Sequence, residues 1–321
     1  MTSPPPTAMP EILTLGEPLI EFNQTAPQQP QYLQGFGGDV SNTAIAAARF
    51  GARAGIITRI GSDQFGDLLL DLWQHEGVDT QCVQRDPHAP TGLYFVTHNA
   101  QGHHFSYRRQ GSAASLITPD QLPIPAIQSA RWLHVSAISQ AISSSSLDTV
   151  NAAITAAKRC AIQVCYDPNL RLALWPLERA RATIQATAAR VELFLPSYDD
   201  VVQLSGASNP EQAMDWCLAA GARKVVLKLG GRGVMASLDG QLTMIAPHRV
   251  DAVDGTGAGD CFAGVLLACL CAGETMMSAI RYANAAAAIA TTGFGAVAPL
   301  PTRVQVEALL EAGAVEPSHV S

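Results

Sequence analysis

Val250-Asp-Ala-Val-Asp-Gly-Thr-Gly-Ala-Gly-Asp260 runs directly into an apolar stretch over residues 261–273. Its alternating glycines, Gly255, Gly257 and Gly259, let the backbone turn tightly and aim several N–H groups at one point. The helix expected over 261–273 adds the positive potential of its N-terminus at the same place, so the stretch reads as an anion hole. A carboxylate in the first helical turn, Asp260, is electrostatically out of place beside an anion unless it acts there. Taking the proton of an attacking hydroxyl is such an action. Read alone, the turn fits a simple N-terminal cap equally well.

Other phosphate cradles are excluded. The chain holds no Gly-x-x-x-x-Gly-Lys-Ser/Thr, and the glycine-rich turn lies late in the sequence without the Gly-x-Gly-x-x-Gly register of a dinucleotide fold. With 321 residues, 48% of them hydrophobic, the chain suffices for one large α/β domain with an appendage. Lys plus Arg number 20 against 27 Asp plus Glu, a net charge of -7 without a basic block, which argues against a nucleic-acid partner. The N-terminal residues show no signal-peptide pattern, and the apolar run 261–273 is too short to cross a bilayer. Seven cysteines without paired spacing suggest neither a disulfide framework nor a zinc site. A cytoplasmic protein acting on a small molecule is expected, with no metal held by a dedicated side-chain cluster.

Outward from the turn, short apolar runs at 54–59, 132–136, 162–166, 193–195 and 224–229 read as buried strands, and 42–50, 66–76, 146–159, 176–189 and 210–220 as helices. The alternation predicts an α/β fold, a three-layer, mainly parallel sheet with helices on both faces. Residues 18–36 and 91–110 break this rhythm. A period-two pattern around Asn99-Ala-Gln-Gly102 predicts a hairpin, and the two stretches together predict a small β-sheet lid. One α/β domain is expected over 11–310, with 1–10 and 313–321 frayed.

Two signatures join these parts. Gly37-Gly-Asp-Val-Ser-Asn42, with Gly61-Ser-Asp-Gln-Phe-Gly66 behind it, precedes Asp254-Gly-Thr-Gly-Ala-Gly-Asp260. In this order, from Gly16 to about Pro301, the chain resembles the ribokinase-like (PfkB) carbohydrate kinases. The resemblance implies ATP-dependent phosphorylation of a primary hydroxyl of a sugar or sugar acid, with Mg2+, Asp260 as general base, and Gly257, Ala258 and Gly259 as the anion hole. Thr91-Gly-Leu-Tyr94, Tyr107-Arg-Arg-Gln-Gly-Ser-Ala113 and Asp167-Pro-Asn-Leu-Arg171 are most similar to the 2-keto-3-deoxygluconate kinases of that family. On a strand, Tyr107 and Arg109 share one face, where a hydroxyl and a guanidinium would clamp a carboxylate or ketone oxygen. Arg171 follows a strand end, where ligands gather in open α/β sheets. A neutral sugar needs no arginine, so Arg109 and Arg171 favour an acidic one. Tyr94, Gly38 and Asn42 complete the expected substrate site, and Asp39 is weighed beside them. A kinase for fructose or ribose, and a non-catalytic sugar-binding relative, remain the alternatives.

The resemblance assigns the nucleotide to Lys228-Leu-Gly-Gly-Arg-Gly-Val234, with Lys228, Gly230, Gly231 and Gly233 close to ATP, although a plain hairpin turn would use the same glycines. Asn169, Ser197 and Asn284 match further nucleotide positions. Ser197 and Asp200 stand where the family carries Asn-x-x-Glu, which organises Mg2+ and phosphates through water. Many members also hold K+ near the equivalents of Asp251, Val253 and the loop 293–298, so potassium is a conjectured third ion. A homodimer or higher homo-oligomer is expected from the exposed sheet.

Overall fold

The computed structural model describes residues 9–27, 29–99 and 102–313. The chain opens with β1 (Ile12–Leu15), β2 (Leu19–Gln24) and β3 (Tyr32–Gly37), then α1 (Asp39–Arg49), β4 (Ala54–Gly61), α2 (Gln64–His75) and β5 (Val83–Asp86). The hairpin β6 (Leu93–Asn99) and β7 (Gly102–Arg108) follows, then α3 (Ile124–Ser129), β8 (Trp132–Ser136), α4 (Ala137–Ala141), α5 (Ser144–Arg159) and β9 (Gln163–Asp167). Next come α6 (Leu177–Ala188), β10 (Leu193–Phe194), α7 (Tyr198–Ser205), α8 (Pro210–Ala219), β11 (Val225–Lys228), β12 (Val234–Leu238) and β13 (Gln241–Ile245). The chain closes with α9 (Ala258–Cys271), α10 (Met276–Ala290) and α11 (Arg303–Gly313).

Nine strands form one sheet in the order β13-β12-β11-β10-β9-β8-β1-β4-β5. It is parallel except where β12 and β13 return antiparallel at one edge. Strands such as β1 and β8 are buried throughout because helices cover both faces, which is why they read as continuous apolar runs. One face packs on α1, α2, α9 and α10, through Ile45, Trp73, Phe262 and Ile280. The other packs on α5, α6 and α8, through Ile154, Ile184 and Met214. The expected three layers are present.

A separate sheet of order β3-β2-β6-β7 forms the lid. It rises from four chain crossings near residues 17, 38, 91 and 110, all at the carboxyl end of the main sheet. Two expected boundaries shift. Helix α1 begins at Asp39, three residues before the expected start at Asn42, because Gly38 turns the chain with φ 97° and lets the helix begin at once. Most of the termini expected to fray lie outside the described residues, as do the hairpin-tip positions 100 and 101; within them, Pro10 is buried and Gly313 ends α11.

Candidate active site

The site starts from a close helix pair. A Cβ on Gly264 of α9 would lie 2.4 Å from the Thr43 carbonyl of α1, so only glycine admits this approach. The contact brings Asn42 onto Asp260: Asn42 Nδ2 donates to Asp260 Oδ2 at 2.8 Å. The Asn42 amide oxygen, Oδ1, is buried and has no hydrogen-bond partner among the described residues. Gly38, by contrast, owes its identity to the protein. A Cβ there would meet Glu17 O at 2.4 Å and Pro18 Cα at 2.7 Å, so close backbone packing, rather than approach to a polyol, requires glycine.

At the start of α9, Gly257 adopts φ 75° as the N-cap and Asp260 falls in the first turn. Asp254 fixes the turn, its Oδ1 accepting from Thr256 N–H at 2.9 Å and its Oδ2 from Gly295 N–H at 2.9 Å. The N–H groups of Gly257, Gly259 and Asp260 find no acceptor among the described residues, leaving donors and a helix N-terminus for an anion. Burial, then the nearby Asp39 and Asp167 carboxylates, push the Asp260 carboxyl up to about 8, against the hydrogen bond from Asn42 and the charge of Lys228.

The ends of β9 and β11 supply the next residues. Asp167 accepts a bond from Lys228 Nζ and another from Asn169 N–H at 3.0 Å. Asn169, held at φ 33°, donates from Nδ2 to Asp39 Oδ2 at 3.2 Å. Lys228 also reaches the anion hole, since a Cβ on Gly259 would lie 3.3 Å from its Nζ. Ser197 caps α7 by accepting from Asp200 N–H at 3.1 Å. The Asp200 carboxylate is buried beside the Ser197 side chain, and burial and Asp167 raise its pKa against the hydrogen bond from Ser197. The segment 230–232 is a one-turn 3-10 helix joining antiparallel β11 and β12, so the hairpin and nucleotide-loop readings describe the same turn. Gly230 and Gly231 face open space, whereas Gly233 is required by the fold, its Cβ position lying 2.1 Å from Ile245 O. Asn284 Nδ2 donates to Ala246 O at 2.8 Å.

The lid closes the other side. Tyr94 donates its hydroxyl to Glu21 Oε2 and stacks on Tyr107 with ring centroids 5.8 Å apart. Arg109 lies just past the end of β7, with its guanidinium 4.9 Å over the Tyr107 ring. It is not an idle clamp, because Nε–H donates to Glu17 Oε2 at 2.8 Å and Nη2 bonds the same oxygen. Arg171, in contrast, makes a single hydrogen bond among the described residues, to its neighbour's carbonyl, Leu170 O, at 2.8 Å. A cavity of about 1080 Å³ unites these groups. Every residue assigned to catalysis, sugar or nucleotide from sequence lines it except Gly231; Asp251 and Val253, conjectured for potassium, do not.

A sequence model of the pfkB family of carbohydrate kinases matches residues 9–303. The chain belongs to this family. It is 35% identical to the 2-dehydro-3-deoxygluconokinase of Thermoproteus tenax, covering 96% of each chain. It is 33% identical to fructokinase-1 of Zea mays, over 94% of this chain and 97% of that one. A provisionally assigned ribokinase II from E. coli, solved with ATP and Mg2+, superposes with a TM-score of 0.86 at 26% identity, covering 95% of this chain and 100% of the other. The fold is therefore ribokinase-like and the protein is a sugar kinase. Among the described residues, no helix of this kinase is long and apolar enough to cross a membrane.

Several residues of this kinase's site escaped the sequence reading. Asp167 lay inside a quoted motif without a role, and Phe105 and Tyr198 line the cavity unassigned. Glu17 and Glu21 sit behind the cavity wall, gripping Arg109 and Tyr94. An acid at 17, just before the lid strand β2, and another at 21 within it are the available signal.

Proposed function

We propose that this sugar kinase transfers the γ-phosphoryl group of ATP to the primary hydroxyl of 2-keto-3-deoxygluconate, giving the 6-phosphate, with Asp260 as general base. The observation that carries the acidic substrate is Arg171. It lines the cavity without an ion pair among the described residues, whereas Lys228 and Arg109 there are paired with Asp167 and Glu17. Its charge is felt by Asp39 and Asp200, but no carboxylate grips the guanidinium, which leaves its fork available to a substrate carboxylate. The similarity to the Thermoproteus tenax enzyme supports the same reading.

The donors fit MgATP. The open N–H groups at the start of α9 suit the terminal phosphate, and Lys228 adds a positive charge beside them. Asp200 lines the cavity with a buried carboxylate, an oxygen donor suited to the magnesium that accompanies the nucleotide. Gly230 and Gly231 leave room for the nucleotide along the β11–β12 turn. Asn42 holds the Asp260 carboxyl in place while the other oxygen takes the hydroxyl proton as that hydroxyl attacks phosphorus in line. Closure of the lid excludes water and limits ATP hydrolysis.

Phosphorylation of a neutral hexose such as fructose is the second reading. It is favoured by the Arg109–Glu17 pair, which removes one of the two arginines as a free charge, and by the similarity to a fructokinase. A coupled ADP-release screen over 2-keto-3-deoxygluconate, fructose, ribose and adenosine separates them, with the highest kcat/KM expected for the sugar acid. Arg171→Ala should raise KM for the acid about tenfold and leave that for fructose within twofold. A wild-type preference for fructose would overturn the acidic assignment.

A further inference from the structure

The root of the lid contains a carboxylate with no role in the reaction as described. Glu17 lies between β1 and β2, at the first crossing into the lid, and its side chain is 0% exposed. Its Oε2 takes both Nε–H and Nη2–H of Arg109, and its Oε1 accepts from Ser112 Oγ at 3.1 Å. A Cβ on Gly92, at the crossing that leads into β6, would approach Oε1 to 3.1 Å. One dry carboxylate thus touches three of the crossings that carry the lid.

Two consequences follow from the chemistry. An arginine held through Nε and Nη2 by one oxygen has a fixed plane, here laid over the Tyr107 ring, and presents its remaining Nη1 in a set direction. The pair also cancels its own charge, so of the cations lining the cavity only Arg171 lacks a carboxylate partner.

We propose that Glu17 is a positioning and specificity-determining residue for the sugar: it orients Arg109 against Tyr107 at the sugar end of the cavity and neutralises the charge of that arginine there. The proposal rests on the reading of Arg109 as a sugar contact. Glu17 touches no substrate in this account and acts through Arg109.

The test is steady-state kinetics on the full chain with the sugar that the substrate screen ranks first, varying sugar and ATP separately. Glu17→Gln keeps the shape and removes the charge. It should raise KM for the sugar about tenfold while KM for ATP stays within twofold. Glu17→Asp, which keeps the charge but withdraws it by one methylene, should recover only part of the loss. Ser112→Ala loosens the carboxylate without stranding a charge and should move sugar KM in the same direction by about threefold, which decides the matter if Glu17→Gln does not fold. Combined with Arg109→Ala, Glu17→Gln should add no further kinetic loss. Unchanged sugar KM in Glu17→Gln, unchanged KM in Ser112→Ala should Glu17→Gln not fold, or multiplying effects in the double variant, would overturn the proposal. If Arg109→Ala itself leaves sugar KM at the wild-type value, the placement of Arg109 at the sugar fails instead.

Discussion

The cradle at the start of α9 and the root of the lid treat their acids in opposite ways. In the cradle, Asp260, Asp39, Asp167 and Asp200 crowd together and influence one another's ionisation, with Lys228 the one amine among them. Their other donors are neutral, Asn42 on Asp260 and Asn169 on Asp39, whereas at the lid root Glu17 has the cation Arg109 to itself and Glu21 accepts from Tyr94. Matched pairs fix geometry. Unmatched like charges instead raise the cost of ionisation, which is tolerable only where a ligand will supply the missing partner. The difference separates groups that react from groups that hold.

Asp260→Asn tests the reacting side and carries the largest expected effect. It preserves the bond from Asn42 in shape but cannot take a proton, so kcat should fall about 10³-fold with ATP binding largely retained. The wild-type pH profile has a defined sign. With the Asp260 carboxyl pushed up to about 8, the free enzyme is protonated there at lower pH, and kcat/KM should rise through about 8 as the base form appears. Stability runs the other way. Between the ordinary carboxyl range and about 8 the folded state keeps a proton that the unfolded chain has released, so ionisation costs stability as pH rises. The melting temperature of Asp260→Asn should therefore gain on wild type across that window. A difference constant with pH would show that the carboxyl is not perturbed by its neighbours.

Gly38 joins the two regions, since α1 begins there and its backbone lies against Glu17 and Pro18. Gly38→Ala must accept both φ 97° and a 2.4 Å contact with a carbonyl, and should cost about 3 kcal/mol in urea unfolding. Gly51→Ala is the control. Its φ is 93° but nothing lies within 4 Å of a Cβ there, so only the conformational cost of about 1 kcal/mol remains. Equal losses would mean that the close approach at Gly38 contributes nothing.

The same division explains what could be read from sequence. The cradle was legible because its geometry is local: three glycines and an acid within six residues announce a turn and a helix start. The parallel sheet was legible because burial on both faces writes continuous apolar runs. The antiparallel edge was missed, although Asp239-Gly240, at φ 49° and 83°, is a hairpin turn of the mirror-image kind that Asp-Gly favours. The lid-root pairs were illegible for a different reason. Glu17 and Arg109 are 92 residues apart, Glu21 and Tyr94 73, and nothing in one sequence ties an acid to a particular distant donor. Arg109 is consequently read from sequence as a substrate clamp, although its Nε–H and one Nη2–H donate inward to Glu17.

Ser197 offers the smallest test, and it probes whether the cradle contains any holding group of the lid-root type. Its hydroxyl accepts from Asp200 N–H at 3.1 Å and its side chain also bonds the Asp200 carboxylate, so it secures both the backbone of α7 and the acid that lines the cavity. If capping is its whole function, Ser197→Ala should lose about 1 kcal/mol of unfolding free energy and Ser197→Asn almost nothing, because asparagine caps equally well. The kinetic consequence should follow the cap: fraying of the first turn displaces Asp200, and KM for ATP should rise about threefold in the alanine variant but not in the asparagine one. A rise in both variants would show that the hydroxyl itself meets the nucleotide. Ser197 would then belong with Asp260 among the groups left open for a ligand, rather than with Glu17 among those that hold one in place.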